Sequence, residues 1–159
     1  MEGLIKLYLE KAENELVLAE SLFKISSDNF MKEKLEINFK ETFYSAVISH
    51  SYYSIFYCAR AYSLSKNVKL PEQGQHQATY YNFRKFVNQG VIDKELLEIY
   101  DEIIVKADTL LDLFEHEKLK RGHFVYKTTS QANIEPAKES LNNSGIFFKS
   151  INKIIRGLK

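Results

Sequence analysis

The chain has 159 residues, a length that suits one domain (1–159), with 22 basic and 21 acidic side chains and a formal net charge of +1. A lone cysteine, Cys58, excludes an intrachain disulfide, and no apolar run approaches the roughly 20 residues that cross a bilayer as a helix. Six Gly and two Pro leave few places to turn, and ten Tyr and eleven Phe supply bulky core residues, so long helices are favoured over many short strands.

The first predicted helix covers 2–26. Ile5, Tyr8, Ala12, Leu16, Ala19 and Phe23 recur at spacings of three and four, with Glu and Lys between them. "SSDN" interrupts this pattern, and 28–37 reads either as loop or as a helical extension. Asn38 with Glu41 fits a capping box, which predicts a second helix over 39–66. That segment, "FYSAVISHSYYSIFYCARAYSLSK", carries two adjoining stripes: Phe43, Val47, His50, Ser54, Tyr57 and Ala61, then Ala46, Tyr53, Phe56 and Arg60. Apolar groups on most sides place it at the centre of a bundle, as the most buried helix.

"KNVKLPEQGQ" is a loop punctuated by Pro71 and Gly74. A shorter helix over 75–89 follows, with Ala78, Tyr81, Phe83 and Phe86 inward and Gly90 just past its end. Asp93 is placed to cap a helix over 94–120, buried along Leu96, Ile99, Ile103, Ala107, Leu110 and Phe114 and stopped by Gly122. After the connector "YKTTSQAN", Asn133 is the expected N-cap of the last helix, with Pro136 in its first turn. Ala137, Leu141, Phe148, Ile151, Ile155 and Leu158 form its apolar side. The expected architecture is all-α: an up-and-down four-helix bundle with one additional short helix, at least two thirds helical and without a sheet.

Charge is unevenly placed. Residues 1–117 carry 13 Lys/Arg and 19 Asp/Glu, whereas 118–159 carry 9 Lys/Arg and 2 Asp/Glu. Such asymmetry marks either an anionic partner or basic residues that complement helix C-termini and stay in water. On the last helix Lys149, Lys153 and Arg156 share one face, and no acidic residue follows Glu139.

Aromatic Tyr52, Tyr53, Phe56 and Tyr57 are of a kind that stacks on bases, but at helical spacing most of them read as core, with Tyr52 the expected exposed exception. His50 reads as a hydrogen-bonded core or interface residue, and His76 as a group capping the third helix. Cys58 reads as buried and inert. His116 and His123, with Glu115 and Glu117 nearby, do not form a recognised ligand pattern, so no metal is expected. No glycine-rich phosphate loop is present, and no cofactor is expected.

The stretch "KLKRGHFVYK" stands apart. Arg121 falls at a helix end and His123 in the following turn, among Lys118, Lys120 and Lys127. Arg clamps phosphate oxygens bidentately, and His moves protons near neutral pH. Metal-free RNA cleavage needs little more, because the ribose 2′-hydroxyl is the nucleophile. One Arg beside one His is also common by chance.

The order of segments resembles the HEPN superfamily. "YLEKAENELVLAESLF" resembles its first helix, "AVISHSYYSIFYCARAYSLSK" its second, and "QHQATYYNFRKFVNQGVIDKEL" its His-led third helix running into the fourth. "RGHFVYKTTSQANIEPAKESLNNSGIFF" resembles the arginine motif, connector and last helix, so the likeness covers about residues 6–155. The resemblance implies a helical bundle, a homodimer, and a role in toxin–antitoxin or defence modules beside a small nucleotidyltransferase. It implies RNA as substrate, cut without metal by an Arg and a His a few residues apart, where two subunits meet. Here Tyr126 stands five residues after Arg121, as in the branch of the family with Tyr near that His position.

The expected function is therefore a HEPN-type RNA-interacting component with weak or absent endoribonuclease activity. Arg121, His123 and Tyr126 are the candidate catalytic residues. Lys118, Lys120, Lys127, Lys149, Lys153 and Arg156 are the candidates for phosphate. The alternatives are a protein-binding module docking on the nucleotidyltransferase and an active ribonuclease that uses His123. A start at Met1–Lys11 without a basic head and apolar core, together with the lone cysteine, points to a cytoplasmic setting and no membrane partner.

Overall fold

In a computed structural model, residues 1–111, 124, 126–127 and 133–157 are described. The chain folds as an all-α bundle, with no strand among the described residues, of which 78% are helical. The helices are α1 (Glu2–Ser27), α2 (Asn29–Lys34), α3 (Tyr44–Ser65), α4 (Gln75–Asn88), α5 (described over Lys94–Leu111) and α6 (Ile134–Ile155). Four are long, and α4 is the expected shorter one. The addition is α2: the segment left open between loop and helix forms six helical residues, because Asp28 Oδ1 accepts hydrogen bonds from the N–H groups of Phe30 and Met31.

Helix α3 is the centre of the bundle. It packs against α1, α4, α5 and α6, and 14 of its 22 residues are buried, against four of 26 in α1. Small Ser51, Ser54, Cys58, Ala59 and Ala61 on α3, and Ala12 and Ala19 on α1, are all buried and let the helix axes approach. Tyr62, Phe83, Tyr100 and Phe147, one from each of α3 to α6, join in a chain of ring contacts at 5.2–6.4 Å.

Four local expectations are corrected. Helix α3 begins at Tyr44 rather than 39, because Asn38 Oδ1 accepts from the Lys40 N–H and its carbonyl from the Glu41 N–H, which closes a turn instead of capping a helix. The true helix start is satisfied from another element: the Phe43 N–H donates to Ser26 Oγ on α1 at 2.7 Å. On α4 the buried stripe is Thr79, Tyr80, Phe83 and Val87, so Tyr80 turns inward and Tyr81 outward. On α6 Phe147 is fully buried, whereas Phe148 is only partly covered. Lastly, Tyr52 is completely buried. His76 of α4 lies over it, with Nδ1 2.8 Å from the Tyr52 hydroxyl.

Gly90 follows α4 with φ +71°, the left-handed turn expected of it. The predicted end of the fourth helix near 120, with Phe114 and Gly122, lies outside the described residues, as does Leu158.

Candidate functional site

The arginine corner is seen through its described end. Tyr126 is half-buried, and its hydroxyl donates to the Lys106 carbonyl of α5 at 2.9 Å. Phe124 meets its ring edge-on at 4.7 Å. Burial holds the Tyr126 phenol well above its ordinary range, so it stays protonated at neutral pH, with that proton engaged by the carbonyl. In this geometry Tyr126 ties the corner to α5. Lys127 follows with its side chain exposed and its backbone held by Asn133, which receives the Lys127 N–H at Oδ1 and donates from Nδ2 to the Lys127 carbonyl, both at 3.1 Å. Asn133 does precede α6 as expected, but its amide serves Lys127 and makes no cap hydrogen bond to the helix. Lys106 completes the anchor, donating from Nζ to Glu139 of α6 at 2.8 Å. Arg121, His123, Lys118 and Lys120 lie outside the described residues.

Lys149, Lys153 and Arg156 are all exposed, and helical spacing puts them on one face of α6. Among the described residues none of the three has a carboxylate within ion-pair distance; Arg156 donates from Nε to Asn152 within its own helix. At 1.5 Å per residue, Lys149 stands roughly 24 Å along α6 from Asn133. Lys127, which Asn133 holds, and the basic stripe therefore belong to opposite ends of one helix.

The aromatic face of α3 offers little to a base. Tyr52 is covered, Phe56 is 2% exposed and stacks on the His76 ring at 4.2 Å, and Tyr53 and Tyr57 are half-buried. His76 is thus a half-buried ring packed on Phe56 and bonded to Tyr52 rather than a helix cap, and burial, then the nearby Arg60 charge, lower its pKa. His50 pairs with Glu15 of α1 at 2.6 Å, as a half-buried bridge between α1 and α3. Cys58 is fully buried, and desolvation pushes its thiol far up. Among the described residues no three His, Cys, Asp or Glu side chains gather as a metal site, and no helix is long and apolar enough to cross a membrane.

One residue that the sequence reading passed over is Arg60. It counted there as a member of an apolar stripe, yet a cation flanked by Ala59 and Ala61 in an otherwise uncharged helix is itself a signal. In the fold it is a buried guanidinium facing a cleft.

The chain matches no family model, and comparison with characterised proteins and with solved structures found no significant similarity.

Proposed function

We propose that this protein is a HEPN-type RNA-interacting component of a toxin–antitoxin or defence module, with weak or absent metal-independent endoribonuclease activity. The observation that carries the reading is the exposed, unneutralised row of Lys149, Lys153 and Arg156 on α6. Three cations on one rigid face are suited to following a phosphate backbone without reading bases. Weak chemistry follows from Tyr126: a half-buried phenol bonded to a backbone carbonyl is a poor proton shuttle at neutral pH. Arg121 and His123 remain the residues to which any cleavage belongs. The reading includes a homodimer that brings two arginine corners together, a nucleotidyltransferase partner and a cytoplasmic setting.

The second reading, a non-catalytic module docking on that nucleotidyltransferase, is favoured by Leu4, Leu7 and Leu18. Each is over 40% exposed, and helical spacing puts them on one face of α1. Binding of labelled single-stranded RNA, titrated with salt, separates the two. Saturable binding that weakens steeply with salt supports the first. RNA left unbound at low salt supports the second.

A further inference from the structure

Arg60 is 8% exposed, and among the described residues it has no carboxylate partner. Its Nε is buried without a hydrogen bond. Its Nη1 donates to a neutral acceptor, Gln75 Oε1, at 3.2 Å. The guanidinium lies 5.0 Å from the centre of the Tyr8 ring and 5.7 Å from that of Phe56. A buried cation in such company has lost most of its hydration and gained only ring faces and one long amide contact. Its uncompensated charge also reaches His76, whose protonation it opposes.

Arg60 lines a cleft of about 510 Å³ with Leu4, Tyr8, Leu64, Leu70, Lys69, Glu72 and Gln75. The N-terminus of the 14-residue α4 begins at this cleft: Gly74 precedes it in the left-handed conformation, and no side chain caps it. The aligned peptide dipoles give a helix N-terminus partial positive charge. Arg60 and Lys69 against Glu72 leave the lining side chains with one net positive charge, while Leu4, Leu64, Leu70 and Tyr8 supply apolar wall.

We infer that this cleft binds a small organic monoanion, a carboxylate carrying an apolar body, with the carboxylate on Arg60 in place of Gln75 Oε1 and the body against Tyr8, Leu64 and Leu70. An anionic oxygen forms a shorter and stronger bond to guanidinium than the amide oxygen does. The single net charge and apolar walls favour a carboxylate over a phosphate dianion. Among the described residues, none of the basic stripe lines this cleft.

The test uses the full chain with benzoate as probe, and inorganic phosphate and chloride at matched ionic strength as comparators, read by calorimetry and amide chemical shifts. Benzoate saturates, shifts the amides around Gln75–Gln77 and raises the melting temperature more than phosphate does. Gln75→Glu places a carboxylate beside Arg60 within the chain. It should raise the melting temperature and weaken benzoate about tenfold or more, the scale of one charge-assisted hydrogen bond. Arg60→Met, verified as helical by circular dichroism, should lose binding to the same extent. The inference is overturned if benzoate fails to saturate, if phosphate binds more tightly than benzoate, or if both variants bind benzoate as tightly as the parent. Should Arg60→Met not fold, unaltered benzoate affinity in Gln75→Glu alone overturns it.

Discussion

Asn133 and Lys127 are joined by two hydrogen bonds, one in each direction between the Asn133 amide and the Lys127 backbone. The amide thus acts as a short piece of partner strand, fixing where the chain leaves the arginine corner and enters α6. Asn133 is only 6% exposed, so water cannot replace either bond once the side chain is cut back. Asn133→Ala should cost about 1–3 kcal/mol in urea unfolding. Asn133→Asp keeps the acceptor and loses the donor, and should fall between parent and Ala. Equal stability of all three would mean that the clamp does not hold in solution.

Tyr126→Phe removes the bond to the Lys106 carbonyl and nothing else, so its cost at neutral pH should be about 0.5–1.5 kcal/mol. The parent should also lose stability in alkali. A phenol whose pKa is raised on folding contributes fully below its unfolded value near 10 and loses that contribution as pH climbs toward the folded value. Tyr52, Tyr100 and Cys58 act in the same direction, so the variant's decline should be shallower rather than absent. Matching alkaline melting curves for parent and variant would contradict the half-buried, hydrogen-bonded position of Tyr126.

His76 gives the opposite pH dependence. Burial and Arg60 lower its pKa, so the unfolded chain takes up a proton first as pH falls. Its contribution is complete above the unfolded value of about 6.5 and is lost progressively below it. His76→Gln should flatten the stability profile between about pH 6.5 and 5, while lowering stability at pH 8 through loss of the stack on Phe56. An unchanged slope in the variant would assign the acid dependence to other groups.

Phe56→Ala should cost about 3–5 kcal/mol, since the ring is 2% exposed between Tyr52 and His76. A loss under about 1 kcal/mol would mean that the α3–α4 contact is loose.

The sequence carried the helices well where one period had one solution. Ala12, Leu16 and Ala19 on α1, and Leu96, Ile99, Ile103 and Ala107 on α5, point inward as their spacing requires. The inward-facing errors fall at doubled aromatics: Tyr52–Tyr53, Tyr80–Tyr81 and Phe147–Phe148. Neighbouring rings lie about 100° apart on a helix, so periodicity tolerates either phase. Tertiary partners then decide. Tyr52 is buried because His76 covers it, and Tyr80 because its hydroxyl reaches Asp101 of α5 at 2.8 Å. The start of α3 was illegible for a related reason, since the Phe43 N–H at its N-terminus donates to Ser26 Oγ on another helix. Of the site, the basic face of α6 was readable from spacing alone. The Asn133 clamp and the cleft beside Arg60 depend on long-range contacts that no local pattern encodes.

The separation of Lys127 from the basic row on α6 leads to a last prediction about RNA. Asn133 holds Lys127 at the start of α6, and Lys149, Lys153 and Arg156 occupy its far end, with roughly 24 Å between Asn133 and Lys149. At a stacked rise of 3.4 Å per nucleotide, roughly seven nucleotides are needed to touch both. Affinity for single strands should therefore rise with length up to about this size and gain little beyond it, apart from statistical overlap. Each phosphate neutralised on a single strand contributes about −0.7 to the slope of log affinity against log salt. Changing Lys149, Lys153 and Arg156 together to Gln should reduce the steepness by about 2 and weaken all sequences alike. In that variant the length dependence should vanish as well, because only the corner remains. Arg121→Ala should instead preserve the contribution of the stripe and remove any cleavage. If the triple variant binds as the parent does, with the same salt slope, the row on α6 is a solvated helix face, and RNA recognition would have to reside elsewhere in the chain.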